Sequence, residues 1–329
     1  MVILLPPDSA TDGQGVGKMG FHMAANVRKK MPSSSTLYVF DVNTEACRRF
    51  QTNFASHGPI EIANAAKDLA SQSSTVISMV PMDEHARAVY LDPENGVIAA
   101  SKDPNRLLLE CSTINVTTTQ DIGRKVFDAG VGTYVDTPVS GGVRGAEAGT
   151  LSFFLGYKAT DNGDHFSKRI LSVVEWMGAA DKINFCGDLG LGLVCKITNN
   201  YIGLTNIVVA AEGLAFGLRH GVDKGILYKC IKASSGDSWA LTFSNPVPGI
   251  IPESASSNGF KAGFTSRLCA KDLGLALQAA REVGIRPKMG EISLKYYEEA
   301  DKDPSTTGLD GSSVWLHIND EAADFVRLE

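Results

Sequence analysis

Short runs of β-branched and aliphatic residues alternate with amphipathic stretches through the first half of the 329-residue chain. That alternation predicts βαβ units and a parallel sheet. Strands are expected at 36–41 (TLYVFD), 75–80 (TVISMV), 107–111 (LLLEC), 133–137 (TYVDT), 151–155 (LSFFL) and 182–186 (KINFC), with helices near 19–30, 44–56, 83–90 and 116–129. From about Leu189 the period changes. Residues 190–220 keep apolar positions at helical spacing, and helical periodicity resumes at 224–234, 265–283, 288–300 and 312–327 with no further strand signal. The loop 245–263 is rich in Pro, Ser and Gly and is expected to be irregular. The expectation is therefore an α/β N-terminal domain with a doubly wound, mostly parallel sheet (1–188), followed by an all-α C-terminal domain (189–329).

Gly15, Val16, Gly17, Lys18, Met19 and Gly20 fit G-x-G-x-x-G. The glycines allow a tight turn, close backbone approach to a pyrophosphate and close packing of helix on strand, the fingerprint of a Rossmann domain. The helix that follows would turn its amides and positive dipole end toward the phosphates. Asp41 ends a strand 21 residues after Gly20. A carboxylate there can bind the adenosine ribose hydroxyls and repel a 2′-phosphate, which favours NAD over NADP. Residues 6–14 (PPDSATDGQ) make a poor strand, and residues 2–5 are the only apolar run upstream. Either the loop carries an insertion after a very short first strand, or the start of the sequence is not a natural one; that strand is central in such a sheet, and losing it would cost stability and cofactor affinity.

Charge and cysteine usage narrow the classes. A net charge of −6 with no long Lys/Arg cluster argues against nucleic acid as a partner. The six cysteines contain no C-x-x-C pair and the six histidines no H-x-x-x-H spacing, so reduced thiols and no metal site are expected. No uninterrupted apolar run approaches the ~20 residues of a membrane span.

Three blocks carry a family resemblance. Residues 136–151 (DTPVSGGVRGAEAGTL) resemble the substrate-binding signature of the β-hydroxyacid dehydrogenases, 192–200 (GLVCKITNN) their catalytic helix, and 271–276 (KDLGLA) a third family block. Within that family, 234–239 (SSGDSW) and 245–249 (NPVPG) are most similar to the 3-hydroxyisobutyrate dehydrogenases. The similarity runs from Gly15 to roughly Phe325.

The residue types suit the implied chemistry. Oxidation of a hydroxyl by hydride loss needs a group to take the hydroxyl proton. Lys196 can do so if burial and a neighbouring nicotinamide charge lower its pKa. A mid-helix lysine is ordinarily solvated, but Val194, Cys195 and Ile197 around this one are apolar. Asn200, four residues on, shares its helix face and can hold the hydroxyl or the ammonium. Ser140, Gly141 and Gly142 read either as a nest for the substrate carboxylate or as an ordinary turn. Trp239 and Phe264 read as walls for a small methyl group or as core. By resemblance Lys271 contacts the cofactor, Asp272 holds the catalytic helix or the substrate region, Val80 and Pro81 pack on the adenine and ribose side, and Thr113 reaches the nicotinamide half.

What the resemblance implies is NAD-dependent oxidation of 3-hydroxyisobutyrate to methylmalonate semialdehyde, a step of valine breakdown. Two alternatives stay open: a sibling reductase of tartronate or succinic semialdehyde, and an inactive homologue with impaired NAD binding. The family further implies a small 3-hydroxy acid as ligand, no membrane partner, a homodimer or homotetramer, and a mitochondrial location. The N-terminus lacks the arginines of a transit peptide, which leaves the cytoplasm as the alternative.

Overall fold

Apolar runs too short for a helix become strands covered on both faces. All four residues of Leu107–Glu110 are buried, as a central parallel strand requires. The computed structural model describes residues 2–4, 17–159, 163–261 and 263–319. The chain falls into two compact units, 1–196 and 197–329.

The first unit begins β1 (Val2–Leu4), α1 (Gly17–Lys30), β2 (Leu37–Phe40), α2 (Thr44–Phe54), β3 (Ile60–Ile62) and α3 (Ala66–Ser71). It continues β4 (Thr75–Ser78), α4 (Asp83–Leu91), β5 (Leu107–Glu110), α5 (Val116–Ala129) and β6 (Thr133–Asp136). The six strands form one sheet in the order β3-β2-β1-β4-β5-β6, every pairing parallel. This is the doubly wound Rossmann order. β1 has only three residues, yet it sits between β2 and β4 and pairs with both. The loop residues Gly15 and Val16, like the rest of 5–16, lie outside the described residues.

Then come β7 (Val139–Ser140), α6 (Gly142–Ala148), β8 (Leu151–Leu155), α7 (His165–Val174) and β9 (Gly178–Phe185). β8 pairs antiparallel with β7 and parallel with β9 in a second sheet. One face of the large sheet packs Met23, Val27, Phe50, Ile77, Leu109 and Val135. The other packs Leu69, Val76, Tyr90, Leu108, Ile122 and Tyr134.

Sequence periodicity missed several elements. β3 and β7 are too short to set a period. β9 starts at Gly178, upstream of the expected 182, because its outer positions are exposed and polar and only pairing with β8 defines it. α3, α6 and α7 carried no expected helix; α6 emerges from the glycine-rich block after Gly141.

α8 (Leu191–Arg219) runs from the first unit into the second. By length and composition it is apolar enough to cross a membrane, with a mean hydropathy of 1.5 over an 18-residue window. Lys196, Asn199, Asn200 and Glu212 interrupt its apolar run without lowering the average far, and a buried core helix meets the same criterion.

The second unit adds α9 (Lys224–Lys232), α10 (Trp239–Phe243), α11 (Ser266–Glu282) and α12 (Lys288–Lys302). A 3-10 turn at Gly311–Ser313 leads into a helical stretch over 314–319, and 320–327 of the expected helix lie outside the described residues. Its core gathers Leu204, Leu214, Leu241, Leu273, Tyr297 and Val314. Among the described residues the unit is helical apart from one isolated bridge between Thr265 and Asp310.

Candidate active site

Parallel strands deliver their C-terminal ends to one edge, and ligands of doubly wound sheets bind there, outside the point where strand order reverses. Here that point lies between β1 and β4. Asp41 directly follows β2, Val80 and Pro81 lie just beyond β4, and Thr113 lies just beyond β5. Gly17, Lys18, Met19 and Gly20 form the first turn of α1. Asp41 is buried, and its Oδ1 accepts the Asn43 N–H at 2.7 Å while the Asn43 side chain caps α2. The turn thus holds the Asp41 carboxylate at the sheet edge.

Behind this edge lies a buried polar chain. Ser78 Oγ donates to Glu110 Oε2 at 2.7 Å, the Ser112 N–H donates to Glu110 Oε1 at 2.8 Å, and the Val80 N–H donates to Ser112 Oγ at 2.6 Å. Burial pushes the Glu110 carboxyl up to about 7, against the hydrogen bonds of Ser112 and Ser78.

Glu110 and Asp136 are register partners on β5 and β6. Asp136 serves a different helix. Its Oδ1 accepts the Gly190 N–H at 2.7 Å and its Oδ2 the Leu193 N–H at 2.8 Å, so a strand residue caps the start of α8. Burial raises its pKa and the amides of Gly190 and Leu193 oppose that rise. Glycine is needed at two positions for this cap. A Cβ on Gly156 would collide with Asp136 Oδ1, and one on Gly192 would collide with the Phe154 carbonyl.

Lys196 stands five residues into this capped helix and is 7% exposed. Val194 and Cys195 are exposed, so of its apolar neighbours in sequence only Ile197 shares its burial. Its shelter comes from helical geometry: Leu193, Lys196, Ile197, Asn200 and Leu204 share the buried stripe. One turn after Lys196, Asn200 Nδ2 donates to Asp272 Oδ2 at 2.6 Å. Asp272, buried on α11, also takes an ion pair from Lys271 Nζ at 3.1 Å through its other oxygen. Asn200, Lys271 and Asp272 therefore form one cluster.

Phe264 is half-buried against the helical core, and its backbone is pinned: its N–H donates to Asp310 Oδ2 at 2.9 Å and its carbonyl accepts from the Gly311 N–H at 2.8 Å. Trp239 is 62% exposed and stacks on Phe243. Ser140 ends β7 and leads into Gly141 (φ 131°) and Gly142 (φ 62°), left-handed conformations that favour glycine. Asn26 on α1 donates to the Ala146 carbonyl at 2.7 Å, tying the end of α6 to the helix after the glycine loop.

Residues 14–187 match the NAD binding domain of 6-phosphogluconate dehydrogenase, and residues 190–315 match the NAD-binding domain of NADP-dependent 3-hydroxyisobutyrate dehydrogenase. A 3-hydroxyisobutyrate dehydrogenase of Pseudomonas aeruginosa is 37% identical over 91% of this chain and 95% of its own length. The chain belongs to the 3-hydroxyisobutyrate dehydrogenase family of β-hydroxyacid dehydrogenases. An NAD-dependent L-serine dehydrogenase of the same bacterium is 35% identical over 86% of this chain and 89% of its own. The solved structure of Mycobacterium tuberculosis 3-hydroxyisobutyrate dehydrogenase with L-serine superposes with a TM-score of 0.79 at 30% identity, covering 96% of this chain and 98% of that one.

As a member of this family the protein is an oxidoreductase of small molecules that uses NAD. Three residues of structural weight escaped the sequence reading: Asp136, Glu110 and Asp310. Asp136 opens the first family block, yet nothing in one dimension shows that its carboxylate reaches Gly190. Glu110 carried a signal, an acid ending an otherwise aliphatic strand.

Proposed function

We propose that the protein oxidises 3-hydroxyisobutyrate to methylmalonate semialdehyde with NAD. The observation that carries this reading is Lys196, a buried lysine in mid-helix, with Asn200 one turn on and anchored by Asp272 at 2.6 Å. Lys196 takes the hydroxyl proton through Nζ as the C–H bond breaks. Asn200 is oriented by Asp272 and holds the substrate hydroxyl or the lysine ammonium in line. Ser140, Gly141 and Gly142 receive the substrate carboxylate, and Phe264 and Trp239 line the space for its methyl group.

The bound dinucleotide supplies the hydride acceptor. On the protein side, residues 1–188 act as its binding domain, with Gly15 to Gly20 against the pyrophosphate, Asp41 on the ribose, Val80 and Pro81 packing the adenosine half, and Thr113 and Lys271 toward the nicotinamide. Residues 189–329 act as the helical domain. Exposed Ile202, Val209 and Phe216, spaced by sevens along α8, support assembly into a dimer or tetramer through this helix. Eukaryotic relatives are named as mitochondrial enzymes, which supports the same compartment for this chain in valine breakdown.

The second reading is oxidation of L-serine, favoured by the relative named for that activity and by the L-serine that accompanies the superposable mycobacterial enzyme. Both substrates are small 3-hydroxy acids, and pocket differences of this size discriminate by only ~1–3 kcal/mol.

The test is NADH absorbance with NAD and 3-hydroxyisobutyrate, L-serine, glycerate or 4-hydroxybutyrate, the last two being the alcohols of tartronate and succinic semialdehyde, with NADP in parallel. The proposal expects the highest kcat/KM for 3-hydroxyisobutyrate and a ~10²–10⁴-fold loss of kcat in Lys196→Ala with NADH binding retained. Higher kcat/KM for L-serine would replace the substrate. An active Lys196→Ala variant would remove Lys196 from the chemistry.

A further inference from the structure

Four strand-end residues of the NAD-binding unit are joined through one buried carboxylate. Glu110 has no exposed surface, and its two oxygens serve different strands. Oε2 takes the Ser78 hydroxyl at the end of β4, and Oε1 takes the Ser112 amide beyond the end of β5. Ser112 passes the link back across the sheet, since its hydroxyl accepts the Val80 N–H at 2.6 Å. Ser78 Oγ is in turn 2.5 Å from the Tyr90 hydroxyl of α4. The chain of contacts thus closes a ring through Ser78, Glu110, Ser112 and Val80, and it stands directly behind Pro81 and Thr113.

We propose that Glu110 is a positioning residue for cofactor binding: by bridging Ser78 and Ser112 it sets the backbone of Val80–Pro81 and of Thr113 against the dinucleotide. This rests on the reading of that sheet edge as the NAD site. A carboxylate is suited to the task because it offers a separate acceptor oxygen to each side, Oε2 to Ser78 and Oε1 to Ser112. Its length also matters: from the last position of β5 it reaches both the neighbouring strand and its own following loop.

The ring carries charge sensitivity. The groups facing Glu110 are the hydroxyls of Tyr90 from α4 and Tyr134 from β6, the Asp136 carboxylate beside it on β6, and the Cys111 thiol just after β5. Burial raises the Glu110 carboxyl to about 7, and none of these neighbours is cationic to hold it lower. Protonation turns one accepting oxygen into a donor and breaks the symmetry of the bridge.

The test measures NADH binding by fluorescence and KM for NAD against pH from 5.5 to 8.5, on the intact protein and on Glu110→Gln, Glu110→Ala and Ser112→Ala. In the wild type, Kd for NADH should change across pH 6–8. Glu110→Gln should bind within ~3-fold of the wild type and lose that pH dependence, because it keeps one acceptor and cannot ionise. Glu110→Ala and Ser112→Ala should raise KM for NAD ~10-fold or more with kcat for a saturating hydroxyacid changed far less.

Outcomes separate the inference from the reading beneath it. If the wild type binds no NADH, the cofactor site itself fails and the inference falls with it. If the wild type binds NADH while Glu110→Gln keeps the same pH profile, or Ser112→Ala keeps the same KM, Glu110 does not position the cofactor and the site stands without it. Should Glu110→Ala not fold, the Gln and Ser112 variants decide alone.

Discussion

The side-chain amide of Asn200 donates to Asp272 Oδ2 at 2.6 Å, joining the middle of the chain to a residue 72 positions later in a fully buried contact. One short bond to a charged acceptor holds the side chain that follows Lys196 by a helical turn. Hydrogen bonds to charged groups contribute ~1.5–3 kcal/mol. Asp272→Ala is therefore expected to lower kcat/KM by ~10–100-fold, with Asp272→Asn less affected because it retains an acceptor for Asn200. Steady-state kinetics on both variants check this. Equal loss in the two would point to the Lys271–Asp272 ion pair instead of the Asn200 bond.

Coenzyme preference is expected to follow Asp41. Asp41→Asn keeps an oxygen for the Asn43 N–H that shapes the turn while removing the negative charge that opposes a 2′-phosphate. The ratio of kcat/KM with NAD to that with NADP should fall at least ~10-fold. An unchanged ratio would place coenzyme discrimination elsewhere.

The start of α8 depends on a residue from β6. Asp136→Ala leaves the buried N–H groups of Gly190 and Leu193 without their acceptor, at ~1–3 kcal/mol for each. Urea unfolding should show a loss of ~2 kcal/mol or more, and Gly192→Ala should destabilise too, since its Cβ would collide with the Phe154 carbonyl. Wild-type midpoints in both variants would contradict the cap.

Glu110 links stability to pH. Its carboxyl ionises near 4.5 in an unfolded chain and at about 7 in the fold. Between those values the folded protein holds a proton that the unfolded chain has lost, so stability contributed by this group falls as pH rises from about 4.5 to about 7 and is level above. The Glu110→Gln variant lacks the titration. The difference in unfolding free energy between wild type and variant should shift in the variant's favour by up to ~3 kcal/mol across that window. Denaturant curves at pH 5 and pH 8 measure it, and parallel behaviour of the two proteins would refute it.

Much of the fold was legible because its signals are local. The strand β5 is aliphatic through its first three positions and the helix α5 is periodic between an Asn cap and a Gly stop, so each announces itself in a few residues. β3, β7 and β9 are too short or too polar to do so and exist because neighbours complete their hydrogen bonds.

By itself the sequence determined the class of fold, the acid after the second strand, and Lys196 and Asn200 on one helix face. All of these rest on spacing and alternation along the chain, which the sequence carries directly. Tertiary structure decided the rest: that Val2–Leu4 completes the sheet, that Lys196 is sheltered by its helical stripe and not by Val194 and Cys195, that Asp136 caps α8, and that Asp272 orients Asn200. The sheet pairing, the cap and the Asn200–Asp272 bond each join groups far apart along the chain, and hydrogen bonding between such groups is settled only when packing brings them within about 3 Å of one another.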